Sequence, residues 1–465
     1  MELPIAFVTR MKRLLGSEYD AFEAALSRES AVKGLRVNTN KVSVDAFVKN
    51  APFALEAIPY VTGGFIVSED AQAGKHPYHA AGAYYMQDPG AMSAVAAIPH
   101  DVWQKEGMRV LDLCAAPGGK TTQLASLCAP CGGAVVANEY VSARSRILAG
   151  NVERMGLSNV CVTNTDAAHI AALYPEAFDL VVVDAPCSGE GMYRKNDLAI
   201  TEWSEANVRM CAERQREILE SAVRCVARDG YLLYSTCTYS TEENEEIVAW
   251  ILRTYEDFSI VPCSEAVASH TANGLTEVDA RGEDLSLCRR FYPHVCAGEG
   301  QFVALLKRAN GARQSDCRAT VAPIPKALQK TAQDFLLETL GHTLSPLLCD
   351  RGAIYTLPAL TDTPLTLPPH AVAMGVPLGE ERKGRIVPHH HFFMAYGREC
   401  RSRITLSPND ERVRKYLAGE EIDVPTELSG YTAVLLSLGD EELTLGGGKA
   451  VGGRLKNYYP KGLRI

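Results

Sequence analysis

From Arg109 to Lys307, short β-branched runs alternate with segments of helical periodicity, and no other feature limits the possible folds so strongly. Such a rhythm marks a parallel sheet with crossover helices on both faces. Strands are predicted at Arg109–Leu113, Ala134–Asn138, Val160–Thr163, Asp179–Asp184, Tyr231–Ser235, Ser259–Pro262 and Gln301–Lys307, with the longest helix over Glu205–Arg228. The expected centre is a Rossmann-like α/β core of seven strands.

The flanks differ from this core. Residues 1–100 read as a mixed α+β segment, with amphipathic helical stretches at Phe7–Leu15 and Tyr19–Leu26 and a strand at Gly34–Asn38. Asp88 is placed to cap a helix whose first residue is Pro89. After Arg308 a polar stretch, Asn310–Arg318, marks a boundary. Strand-like runs at Gly352–Leu357, Ala371–Val376, Thr432–Leu436 and Glu442–Leu445 then suggest one or two small β-rich modules. At 465 residues the chain exceeds a single core, and it divides by this reading into residues 1–100, 101–309, 310–390 and 391–465.

A net charge of −9 counts against a protein that coats nucleic acid indiscriminately, because phosphate binding rests on Lys and Arg. Local basic patches remain. One gathers Arg382, Lys383, Arg385, Arg398, Arg401 and Arg403; another gathers Lys449, Arg454, Lys456, Lys461 and Arg464, with no acid after Glu442. No run approaches the roughly 18 apolar residues of a membrane span, and the 14 cysteines read as free thiols of a reducing compartment. A soluble cytoplasmic protein, a monomer without a metal, is expected. Cys128 and Cys131 lack a second pair, and His389-His390-His391 has no cysteine nearby. Gly446-Gly447-Gly448-Lys449 reads as a flexible turn.

The first predicted strand opens into Leu-Asp-Leu-Cys-Ala-Ala-Pro-Gly-Gly-Lys-Thr at 111–121, a strand, a glycine turn and a helix start. Small residues there let backbone N–H groups approach a ligand, at the strand ends where doubly wound sheets bind cofactors. Two ligands are open. The turn matches a phosphate loop except that Cys114 replaces its first glycine, and Leu180–Asp184 then resembles the magnesium-holding strand of an ATPase. Against this, Glu139 closes the second strand, where an acid accepts hydrogen bonds from ribose hydroxyls, and Asp166 closes the third, within reach of an adenine. A ladder of acids at successive strand ends favours an adenosine-bearing cofactor.

The fourth strand runs into Asp184-Ala185-Pro186-Cys187-Ser188-Gly189 and the fifth into Ser235-Thr236-Cys237-Thr238-Tyr239-Ser240. One buried cysteine is ordinary packing. Two on strand-end loops beside a cofactor turn point to thiolate chemistry.

These motifs, in this order, resemble the NOL1/NOP2/Sun family of RNA 5-methylcytosine methyltransferases, from about Arg36 to Lys307. The resemblance implies a class I methyltransferase core that uses S-adenosylmethionine. It implies that the backbone of Cys114, Ala115, Ala116, Pro117, Gly118, Gly119 and Lys120 embraces the methionine part, Glu139 the ribose and Asp166 the adenine, and that Asp184, at the cofactor site, also holds the reacting base. Cys237 would attack carbon 6 of a cytosine, and Cys187 would help to release the product. Thiolate addition makes carbon 5, otherwise electron-poor, nucleophilic.

Arg36, Asn38 and Lys41 are similar to the family's R-x-N-x-x-K element, which lies against RNA. The ending with Lys456, Tyr458, Tyr459 and Lys461 resembles the bacterial branch that acts on small-subunit ribosomal RNA and carries a PUA-like RNA-binding module. RNA, and within it 16S ribosomal RNA, is thus the expected partner. Transfer RNA, an ATPase and a non-catalytic RNA-binding protein are the alternatives. Gln301 departs from the aromatic residue common at its place in the family.

Overall fold

The computed structural model describes residues 3–27, 32–311, 324–350, 352–356 and 370–464. Its centre is one sheet. Seven strands lie in it: β1 (Arg109–Asp112), β2 (Ala134–Asn138), β3 (Val160–Thr163), β4 (Phe178–Asp184), β5 (Val226–Thr236), β6 (Phe258–Val261) and β7 (Gln301–Arg308). Their order is β3-β2-β1-β4-β5-β7, with β6 paired to the far half of β7. β1 to β5 are parallel, whereas β7 runs antiparallel to β5. These strands are apolar on both faces because helices cover both: β4 and β5 bury Val181, Val183, Leu232 and Tyr234 in one core and Leu180, Val182 and Leu233 in the other.

The sheet is larger than the seven strands expected. Ala272–Asn273 and Arg289–Phe291 extend it beyond β7, and Ala371–Met374 pairs antiparallel with β3, giving ten strands. One run assigned from sequence to a C-terminal β module therefore belongs to the central sheet. An edge strand leaves N–H and C=O groups unpaired, and a distant segment of the chain satisfies those of β3.

The helices that matter for the site are α1 (Gly119–Cys128), α2 (Ser142–Met155), α3 (Ala167–Leu173), α4 (Glu205–Cys225) and α5 (Glu245–Thr254). Ahead of the core, Lys33–Val37 sits in a four-stranded sheet, and Asp88 caps Pro89–Ala96 by accepting from Gly90 and Ala91 N–H. Past the core come a four-stranded sheet built on Val376–Arg382 and a five-stranded sheet centred on the hairpin Gly430–Leu438 and Glu441–Val451. Most of the polar stretch 310–318 lies outside the described residues.

Gly446–Gly448 is strand, not a flexible turn. The ring of Phe393 occupies the place of a Cβ at Gly447, and the carbonyl of Lys456 that of one at Gly448. Glycine is required there by close packing. Among the described residues no helix is long and apolar enough to cross a membrane.

Candidate active site

β1 ends at Asp112, and the chain turns through Cys114–Gly118 into α1. Gly118 has φ +114, and a Cβ there would stand 3.0 Å from Leu148 Cδ1, so only glycine fits. Neighbouring elements grip the turn. Ala115 N–H donates to Asn138 O at the end of β2 (2.9 Å), Arg144 of α2 to Ala116 O (2.8 Å), and Asn151 to Pro117 O (2.8 Å).

Carboxylates border this turn. Asp112 is fully buried and takes a hydrogen bond from Thr121 Oγ1 (2.6 Å), while its Oδ1 has no partner. Burial, with Asp184 and Glu139 adding to it, pushes Asp112 up to about 7. Glu139 Oε1 accepts from Val141 N–H (2.9 Å) and its Oε2 lies 3.4 Å from Arg144, so this buried acid also seats the start of α2. Asp166 is exposed at the end of β3 and caps α3 through His169 N–H (2.8 Å). Gln87, just ahead of the Asp88 cap, packs on Gly119; its Oε1 is buried without a partner.

Carboxylates and orphaned acceptor oxygens repel a polyphosphate, whose cradle needs donors and cations. They suit a ligand that brings a cationic amine and sugar hydroxyls. The phosphate-loop alternative loses its ground here, and the residues present fit S-adenosylmethionine.

Parallel pairing sets Asp184 of β4 opposite Ser235 of β5, so the loops beyond them emerge side by side. Cys187 Sγ and Cys237 Sγ are 3.3 Å apart. The hydrogen bond between the two sulfurs and then burial hold the Cys187 thiol well above its ordinary value. Next to them Lys120 Nζ donates to Asp184 Oδ2 (2.8 Å), and Ser235 Oγ donates to Asp184 Oδ1 (2.8 Å). Lys120 thus links the cofactor turn to the thiol loops.

Sequence reasoning missed the acids that hold those loops from behind. Glu243 accepts from Ser188 N–H (2.9 Å) and Gln215 Nε2 (2.9 Å), and burial pushes it up to about 7. Glu190 accepts from Thr238 Oγ1 (2.8 Å), Tyr239 N–H (2.8 Å), Ser240 Oγ (2.7 Å) and Trp203 Nε1 (2.8 Å). Glu245 pairs with buried Arg290, whose Nη1 donates to Tyr239 O (2.8 Å). The Ser188 and Thr238 hydroxyls are 2.9 Å apart and tie one loop to the other. Glu243 and Glu245 stand in the run Thr241-Glu242-Glu243-Asn244-Glu245, whose composition reads as a solvated helix start.

The expected RNA contacts divide. Arg36, Asn38 and Lys41 are 3%, 0% and 7% exposed, which corrects their assignment. Arg36 donates to Gly119 O (3.1 Å) and Thr122 Oγ1 (2.8 Å), Asn38 to Gly82 O and Met155 O (both 2.9 Å), and Lys41 to Ala81 O (2.8 Å). They fasten the N-terminal segment to α1 and α2. Tyr459 is also buried, against His390 and Tyr416, and is corrected with them. Lys456 and Lys461 are exposed and Tyr458 is half-buried. Lys456 stands opposite Lys449, and Lys449 opposite Tyr431, with Tyr458 6.3 Å from the Tyr431 ring, so these share one sheet face. His391 binds Leu157 O (3.0 Å), a packing role between the C-terminal part and the core.

Comparison with known proteins covers nearly the whole chain. The family model described as 16S rRNA methyltransferase RsmB/F matches residues 102–307. Models of the N-terminal domain of 16S rRNA methyltransferase RsmF and of the methyltransferase RsmF PUA domain match residues 3–89 and 403–465. Ribosomal RNA small subunit methyltransferase F of Vibrio atlanticus is 31% identical over 482 residues, covering 99% of this chain and 97% of that protein. The protein of the same name from Serratia proteamaculans is 37% identical over 319 residues, covering 66% of this chain and 63% of its own length. Among solved structures, a methyltransferase homolog protein from Pyrococcus horikoshii is similar with a TM-score of 0.56 and 28% identity, over 65% of this chain and 94% of that one.

Proposed function

Because the chain belongs to the ribosomal RNA small subunit methyltransferase F family, we propose that it methylates carbon 5 of a cytosine in 16S ribosomal RNA, with Cys237 as nucleophile. The family uses S-adenosylmethionine, which when bound supplies an electrophilic methyl group on a sulfonium. The backbone of Cys114–Lys120 would hold its methionine part, Glu139 its ribose and Asp166 its adenine.

This chain's residues then do the following. Cys237, as the thiolate left when its proton passes to solvent, gives a sulfur electron pair to carbon 6, and the electrons of the ring double bond move so that carbon 5 becomes nucleophilic. Asp184, anchored by Lys120 and Ser235, meets the polar edge of the ring. After methylation the hydrogen on carbon 5 leaves as a proton, and its electron pair re-forms the double bond as sulfur departs. Cys187 is the group at hand for that release. The observation that carries this reading is the 3.3 Å between the two sulfurs beside the Lys120–Asp184 pair. For the thiol to reach carbon 6 the cytosine must leave its stack, so an unpaired or locally opened nucleotide in the cytoplasmic small-subunit RNA is the target.

The test is labelled methyl transfer together with denaturing gels. Cys237→Ala should abolish transfer and leave cofactor binding intact. Cys187→Ala should accumulate a covalent protein–RNA band. Product formation by Cys237→Ala would overturn the nucleophile assignment, and product without an adduct in Cys187→Ala would overturn that of Cys187. Bisulfite mapping of 16S RNA from cells with and without the gene locates the base.

A further inference from the structure

Cys187 and Cys237 are each followed by a residue that fastens one loop to the other. Ser188 Oγ and Thr238 Oγ1 are 2.9 Å apart, and Gly191 N–H donates to Cys237 O (2.9 Å). Glu243 holds Ser188 from behind and Glu190 holds Thr238, which fixes the two loops against each other. The sulfurs of the resting protein are thereby kept 3.3 Å apart. A disulfide needs about 2.05 Å between its sulfurs, a difference that side-chain rotation covers while the backbone stays clamped.

Both cysteines are part-exposed, in a cleft that has to admit a nucleotide, so a peroxide also reaches them. The mechanism above requires Cys237 as a thiolate, and the thiolate is the form that a peroxide oxidises. Its sulfur takes an oxygen as the O–O bond breaks, giving a sulfenic acid and hydroxide. A sulfenic acid without a neighbouring thiol is open to further oxidation to sulfinic acid, which thiols do not reverse. Here a second thiol lies in contact. Its proton neutralises the hydroxide, its sulfur attacks that of Cys237, and the sulfur–oxygen bond breaks. With the proton that Cys237 gave to solvent, the products are one disulfide and two waters. Each cysteine has lost one electron, and the peroxide has gained both.

We propose that Cys187 and Cys237 form a peroxide-sensitive switch, a reversible disulfide that stops methyl transfer and shields Cys237 from irreversible oxidation. The loss of transfer rests on the nucleophile reading above, since a sulfur held in a disulfide has no thiolate pair to give to carbon 6. The disulfide itself rests on the geometry of the two loops. The grips on the cofactor turn come from Asn138, Arg144 and Asn151, so the oxidised chain should still bind S-adenosylmethionine. Cys187 thus has a second task beside product release.

Wild type and Cys187→Ser are treated with hydrogen peroxide and mapped by peptide mass. Labelled methyl transfer to small-subunit RNA, free or assembled, and the thermal shift with S-adenosylmethionine are read on wild type. A peptide joining Cys187 to Cys237 should appear, transfer should fall in step with the linked fraction, and the cofactor shift should persist. Dithiothreitol should restore both thiols and the transfer. In folded Cys187→Ser, Cys237 should instead reach sulfinic acid, which dithiothreitol leaves unchanged. Peroxide that leaves wild-type Cys237 as thiol or sulfinic acid, with no linked peptide, overturns the proposal and leaves the methyltransferase reading standing. Equal recovery of the Cys237 thiol in variant and wild type overturns the shielding role. A linked peptide with undiminished transfer overturns the nucleophile role of Cys237, and the switch with it. Absence of transfer by untreated wild type removes the methyltransferase reading itself, whatever the mapping shows.

Discussion

Glu153 of α2 shows what a single half-buried carboxyl does to this protein. Its Oε1 has no hydrogen-bond partner, and the nearest cationic candidate, His389 Nδ1, is 3.7 Å away and itself held down by burial. Burial alone pushes Glu153 from 4.5 up to about 7. A carboxyl raised on folding binds its proton more tightly in the folded state, so its stabilisation is complete below 4.5 and is lost as pH rises through 7. Glu153→Gln should therefore raise stability at pH 8 by on the order of 2 kcal/mol and change little at pH 4.5. Thermal unfolding at the two pH values checks this; an equal effect at both would show that the proton is not involved. At this scale Cys187, Cys237 and Asp184 were legible because each sits in a short motif at a predicted strand end. Glu190 and Glu243 were not, since their roles come from partners 13 to 55 residues away along the chain.

The strand Lys33–Val37 illustrates how an element can be read correctly and its task misread. Its place in the sequence was evident, but Arg36 points into the molecule and ends on α1 at Gly119 O and Thr122 Oγ1. Buried hydrogen bonds from a charged donor contribute about 1.5–3 kcal/mol each. Arg36→Ala should lower the melting temperature and weaken S-adenosylmethionine binding, because the carbonyl it holds belongs to the cofactor turn. Isothermal titration with the cofactor measures this, and unchanged affinity would uncouple the strand from the turn. RNA binding of the folded variant should stay near wild type, in contrast to the loss expected of a phosphate contact. Boundaries of β2 and β3 were foreseen to the residue, since their apolar runs are bracketed by polar residues and glycines. The pairing of Ala371–Met374 with β3 was not, because a four-residue run does not name its partner.

Across the whole molecule, the ends of the chain share a core. Leu35, Val37, Phe47 and Tyr84 cluster with Leu406, Tyr416, Val434, Leu436 and Leu455, and Tyr78 OH donates to Ser437 O (2.8 Å). The C-terminal sheet is therefore packed against the N-terminal segment and is not a loose appendage. Removing residues 403–465 should expose that cluster, lower the melting temperature and, through Arg36, loosen the cofactor turn. Calorimetry of the shortened and full chains tests it; identical unfolding of the catalytic part would refute the shared core.

Local patterning settled the α/β class, the seven strands and the cysteine-bearing loops, because these depend on hydrophobic period and on motifs within a dozen residues. Only the tertiary structure could bring two sulfurs to hydrogen-bonding range, turn Arg36 and Lys41 inward and join the chain's ends. Those outcomes depend on which strand pairs with which and on what covers each face, and burial decides them between residues that lie far apart along the chain.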